Sequence, residues 1–279
     1  MTWQALGAVQ GPRLTDARLQ LHWAAQVISA AADGWLARRD DDGHTAMSWD
    51  PARRALVGEP APSGLAIALR PASLDLIAIH GQEVRATCSL AGATLASALA
   101  WADRQHAEAA SSAVRNIAAR DYDMPAHAVR EGSAFTCDAP ALAEIADWYA
   151  AGVDALGGAA AGPGAIPLRV WPHHFDLGTI VYLDAAGERA RQIGLGLSPG
   201  DVYYAEPYFY VTPYPIRDDA TFGPLAAGGV WRREGWTGAI LLASSLIAAA
   251  PTHRRAAAAS FLDSALAGAR SSLIEPATK

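Results

Sequence analysis

The segments Trp171-Pro172-His173-His174-Phe175-Asp176 and Tyr203-Tyr204-Ala205-Glu206-Pro207-Tyr208-Phe209-Tyr210 gather more proton-active side chains than any other stretch of the chain. Side chains alternate between the faces of a strand. Read that way, the first segment presents His174 and Asp176 on one face and turns Trp171, His173, Phe175 and Leu177 toward a core. The second presents Tyr204, Glu206, Tyr208 and Tyr210 together. Between them Gln192, Gly194, Gly196 and Ser198 share a face, and glycines there leave volume above a sheet. Space beside His174 and Asp176 is what a ligand requires.

Two chemistries follow from these residue types. His174, Asp176 and Glu206 serve as acid/base groups, the tyrosines around Glu206 favouring its protonated form by desolvation. Alternatively, the same three side chains ligate a divalent metal, with the tyrosines contacting substrate. The leading expectation is a metal-assisted hydrolase of a small polar substrate, with Tyr204, Tyr208, Tyr210 and Trp236 binding it. A second reading is a non-catalytic module whose aromatic face stacks on a sugar or another planar ligand. A third is a scaffold in which the carboxylates hold backbone groups or arginines and the rings merely pack.

Other residues carry weaker signals. His44 follows the acidic turn Asp40-Asp41-Asp42-Gly43 and reads as a solvated turn histidine or as a second contributor to the cleft. Asp121, Asp123 and His127 have metal-ligand types at spacing that fits neither a calcium loop nor a zinc motif, so a loop-fixing role is expected. Glu234 reads as a salt-bridged edge residue or as a rim beside Trp236.

To position these groups the chain must form an α+β fold of antiparallel meanders flanked by helices. Thr15 to Arg39 has helical periodicity with Thr15 or Asp16 as cap. Short apolar runs at 45–49, 55–57, 65–69, 74–79 and 84–90, punctuated by Gly, Pro and Asp, read as a meander. Helices are expected over 94–106, 139–156 and 252–273, and strands over 168–183, 192–197, 203–211 and 237–242. The order repeats as two helix-meander-helix halves, 1–137 and 138–279, in one compact body. Ile67-Ala68-Leu69-Arg70-Pro71-Ala72-Ser73-Leu74 matches Leu195-Gly196-Leu197-Ser198-Pro199-Gly200-Asp201-Val202 loosely, in keeping with an internal duplication.

Composition narrows the partners. A formal charge of −6, with Lys279 the only lysine, offers no cationic surface for a nucleic-acid backbone. Cys88 and Cys137 are too few for a disulfide framework, and Met1 to Pro12 does not read as a secretory signal, so a soluble cytoplasmic protein is expected. The most apolar run, Gly238 to Ala250, is too short to span a bilayer. No Gly-x-Ser-x-Gly elbow, phosphate loop or His-Glu-x-x-His helix occurs, and Pro199 spoils the one glycine-rich match to a dinucleotide fingerprint. A small-molecule partner without a nucleotide cofactor is the expectation.

The combination of Trp171 to Asp176, Gly196-Leu197-Ser198-Pro199-Gly200-Asp201, Tyr204-Ala205-Glu206-Pro207-Tyr208 and Glu234-Gly235-Trp236-Thr237-Gly238 resembles a family of bacterial proteins of unknown function. The resemblance spans most of the chain and implies no activity or catalytic residue. It leads one to expect histidines just before Glu234-Gly235-Trp236, where this chain has Val230 and Arg232.

Overall fold

A computed structural model describes residues 2–185, 190–216 and 220–273. Helices α1 (Thr2–Ala5) and α2 (Pro12–Trp35) come first. Strands β1 (Ser48–Asp50), β2 (Ala55–Val57), β3 (Leu65–Arg70), β4 (Asp75–His80) and β5 (Glu83–Ser89) precede α3 (Leu95–Ala109) and α4 (Ala139–Ala160). After β6 (Arg169–Val170) come β7 (Leu177–Tyr182), β8 (Gln192–Ser198), β9 (Tyr208–Tyr214), β10 (Val230–Arg232) and β11 (Gly238–Leu242). Helices α5 (Ala243–Ile247) and α6 (Arg254–Leu273) follow. The class is α+β, with antiparallel meanders and flanking helices. No described helix is long and apolar enough to cross a membrane.

The chain divides into two compact bodies, one of residues 9–146 and 169–175, the other of residues 1–8, 147–168 and 176–279. One division between the bodies falls inside α4, between residues 146 and 147.

In the first body β1 to β5 pair in sequence order. β3 is buried from Leu65 to Leu69 because helices pack against it and strands flank it, whereas β5 is largely exposed. Helix α2 starts at Gly11 with Pro12 in its first turn, ahead of the expected Thr15 or Asp16, since proline fits where no N–H partner is needed. At about 100° per residue, Arg18, His22, Gln26, Ser29 and Asp33 fall within an arc of about 80° on α2. Asp33, at the C-terminal end of this stripe, finds specific partners. His44 Nδ1 accepts from the Arg39 N–H, so the ring proton sits on Nε2, which donates to Asp33 at 2.9 Å. Arg120 grips both oxygens of Asp33 and also reaches Asp42. Burial pushes the Asp33 carboxyl up, but the bonds from Arg120 and His44 overcome it and hold its pKa below the usual value. His44 is therefore no solvated turn residue; its side chain is 1% exposed.

In the second body the strands run in the order β10-β11-β9-β8-β7, so β10 lies outside β11 rather than beside its sequence neighbour β9. Helix α6 packs on β9, and Gly152 of α4 lets that helix approach Leu197 and Leu177 closely. Pro207 and Pro213 read in the sequence as marks of an edge strand or a broken one; β9 is interior, and it begins only after Pro207. Its pairing with β11 stops at Val211, so Pro213 stands where only β8 flanks it. The two loosely matching octapeptides occupy comparable places, each ending one strand and turning into its antiparallel neighbour, β3 into β4 and β8 into β9.

Candidate functional site

Trp171 to Asp176 is not a strand. Pro172 supports a single helical turn in which the Phe175 N–H donates to the Trp171 carbonyl at 2.7 Å, and Phe175 then takes a left-handed φ of 58°. Phe175 is buried as expected and stacks on His22 at 5.0 Å, but the period-two assignment fails at His173, which is exposed like His174. The Pro172 carbonyl accepts from His22 Nε2–H at 2.9 Å and from Gln26 at 2.7 Å, which fixes the turn to α2. His173 and His174 meet edge to face at 4.4 Å, and Tyr122 lies 5.7 Å from His173. Partial desolvation and the neighbouring His174 lower the His173 pKa.

Asp176 belongs to the second body, and its side chain accepts from Tyr210. The volume expected above Gly194 and Gly196 is filled. Tyr210 pairs with Gly196, and a Cβ built on Gly196 would lie 2.6 Å from Tyr210 Cζ; one on Gly178 would lie 2.7 Å from the hydroxyl. Tyr210 thus lies across two glycines to reach Asp176. Its phenol is raised well above its ordinary pKa, first by burial and then by the Asp176 charge. Tyr208, its neighbour on the same face, donates to Asp201 at 2.5 Å and is likewise pushed up by burial and by that carboxylate. Both tyrosines are hydrogen-bond donors that hold acids in place, and neither is poised as a base.

Glu206 precedes β9, and its place among four alternating residues is also corrected. It accepts from the Ser244 N–H at 2.5 Å and from the Ser244 hydroxyl at 2.9 Å. Leu242 at the start of α5 has no side chain able to cap, so Glu206 meets the exposed donors of that helix from outside. Replacing Glu206 by Ala is expected to cost about 1 kcal/mol, as losing a cap does. Urea denaturation of Glu206→Ala against the parent checks this, and an unchanged midpoint rules the capping role out.

Among the described residues no group of three His, Cys, Asp or Glu side chains gathers to hold a metal ion. The ligand set expected from His174, Asp176 and Glu206 is dispersed by the turn that exposes His174, by the Tyr210 bond to Asp176 and by the Ser244 bonds to Glu206. His127 caps the 3-10 turn after it by accepting from the Val129 N–H and meets Asp16, while Asp121 is almost wholly exposed beside Arg130. The loop-fixing role thus fits His127.

What the second body does assemble is an aromatic face around an arginine. Asp201 closes a turn by accepting from the Tyr203 and Tyr204 N–H groups at 2.8 and 3.0 Å, which aims the two rings. The Arg232 guanidinium lies 4.8 Å from the Tyr203 ring centre, 5.5 Å from Tyr204 and 6.0 Å from Trp236. It donates to the Glu234 carbonyl at 2.7 Å and to the Tyr204 hydroxyl at 3.1 Å. Glu234 thus acts through its backbone. Trp236 packs over Gly238, whose Cβ would lie 2.3 Å from the indole. Tyr203 is 50% exposed. Tyr204 and Trp236 were expected here from the sequence; Tyr203, Asp201 and Arg232 were not. For Asp201 and Tyr203 the signal was the Asp-x-Tyr-Tyr order, which an Asx turn explains better than a strand does; Arg232 left no such signal.

No family model, curated protein or solved structure matches the chain.

Proposed function

We propose that this protein is a non-catalytic binding module that takes a planar, ring-bearing small molecule on the face of Tyr203, Tyr204, Arg232 and Trp236. What supports this reading is the Arg232 guanidinium held among three rings by two hydrogen bonds, beside a half-exposed tyrosine. A cation and rings fixed in advance pay little ordering entropy when a flat partner stacks on them. A sugar is favoured less, because its hydroxyls call for carboxylate acceptors, and Asp201 and Glu206 are already occupied by Tyr208 and Ser244. The hydrolase reading receives no comparable support, since its carboxylates are engaged in holding the fold.

Titration calorimetry against a panel of planar heteroaromatic and fused-ring compounds tests this. Tyr203→Ala and Trp236→Ala should each weaken a hit about tenfold while the melting temperature holds, given what one stacked ring contributes. Loss of neither would move the ligand away from this face, and a panel without any binder would remove the proposal.

A further inference from the structure

We infer that the planar ligand bears a carboxylate, received by the Nη2 edge of Arg232 across the gap that Gly235 leaves beside Tyr203. The inference rests on the stacking face proposed above and names the chemical class that face selects.

Arg232 has five N–H donors. Nε is taken by the Glu234 carbonyl and one Nη1 proton by the Tyr204 hydroxyl. No described carboxylate forms an ion pair with Arg232, in contrast to Arg13, Arg53, Arg120, Arg191 and Arg255, each of which pairs with an aspartate. Glu234 adds its negative charge nearby but spends only its backbone carbonyl on the guanidinium. The cation is therefore oriented and ring-flanked, with no described carboxylate in ion-pair contact, in a chain of net charge −6.

Gly235 marks where the carboxylate would enter. A Cβ built there would stand 3.8 Å from Arg232 Nη2 and 3.8 Å from Tyr203 Cε1, filling the space between donor and ring. Its φ of 76° would alone favour glycine, but asparagine tolerates that conformation and would still block the gap. A carboxylate in the plane of an aromatic ring satisfies both features at once. Its oxygens take charge-assisted bonds from the guanidinium edge while its ring lies against Tyr203 or Trp236.

The test compares 2-naphthoate with its neutral isostere 2-naphthamide by calorimetry on the full chain. In the parent protein naphthoate should bind about tenfold tighter or more, the gain of a charge-assisted bond over a neutral one. Arg232→Gln should erase that preference, and Gly235→Asn should weaken naphthoate more than naphthamide. Equal affinities in the parent would overturn the carboxylate while leaving the stacking face intact. Failure of both compounds to bind would count against the stacking face itself. Because the two ligands are compared on the unaltered protein, a variant that folds poorly does not decide the outcome. A preference that survives in Arg232→Gln would place the anion elsewhere and overturn the assignment to Arg232.

Discussion

Lowering the pH from 6.5 to 4 should cost the protein about 3 kcal/mol of stability through His22 alone. The ring is buried against Phe175, and burial is the main reason its pKa falls from 6.5 to about 4, aided by the charge of Arg18 and opposed by the bond to the Pro172 carbonyl. Between those values the unfolded chain takes up a proton that the folded chain refuses. The contribution is thus fully present above pH 6.5, declines as the pH falls, and is gone below about 4. At about 1.4 kcal/mol per pH unit the interval amounts to about 3 kcal/mol. His106, buried beside Trp35 with its pKa also lowered to about 4 by burial, adds a decline of the same sign over the same window. Carboxylates such as Asp33, depressed by their partners, extend the loss to lower pH. Urea denaturation at intervals from pH 7 to pH 4 measures the slope, and His22→Gln, which keeps a donor for Pro172, should remove a large part of it. A variant as steep as the parent would show that His22 is not the group responsible.

Gly196→Ala should destabilise the second body by about 3 kcal/mol, at the upper end of what overpacking costs. The new methyl would lie 2.4 Å from the Leu177 carbonyl oxygen and 2.5 Å from the Tyr210 hydroxyl, so both the strand ladder and the Tyr210 bond to Asp176 stand in its way. In a chain of this size that loss lowers the melting temperature by roughly 6–12 °C. Calorimetry distinguishes this from an open cleft over the glycines, which would accept the methyl without penalty. Tyr210→Phe is the companion variant: it keeps the ring over the glycines and leaves Asp176 without that donor, so most of its cost is that of a lost hydrogen bond.

The regular elements were legible because each depends on local pattern. The run 55–57 is β2 as expected, and the strands near 65–69, 74–79 and 192–197 end within about a residue or two, the usual spread of boundaries. The misplaced segments share a cause. In Trp171 to Asp176 and in Asp201 to Glu206, alternating aromatic and polar residues imitate a strand, but a proline-led turn and an aspartate-led turn supply the backbone bonds instead. Once the backbone turns, a side-chain period of two no longer tells which residues share a face. Of His173 and Phe175, both expected in the core, Phe175 is buried and His173 is exposed.

By itself the sequence determined the fold class, the elements with clean periodicity, and the fact that acids, tyrosines and histidines crowd two short stretches. Only the tertiary structure decided what those side chains do, because that depends on partners distant along the chain. Tyr210 fills the space over Gly178 and Gly196, Ser244 occupies Glu206, and Asp33 draws in Arg120 and His44. Trp171 to Asp176, which promised a pocket, provides instead a turn bolted to α2. Val230 to Trp236, where the sequence singles out only Glu234 and Trp236 as candidates, supplies the arginine and the indole of the exposed face, because β10 and β11 bring Arg232 and Trp236 beside the turn that Asp201 closes.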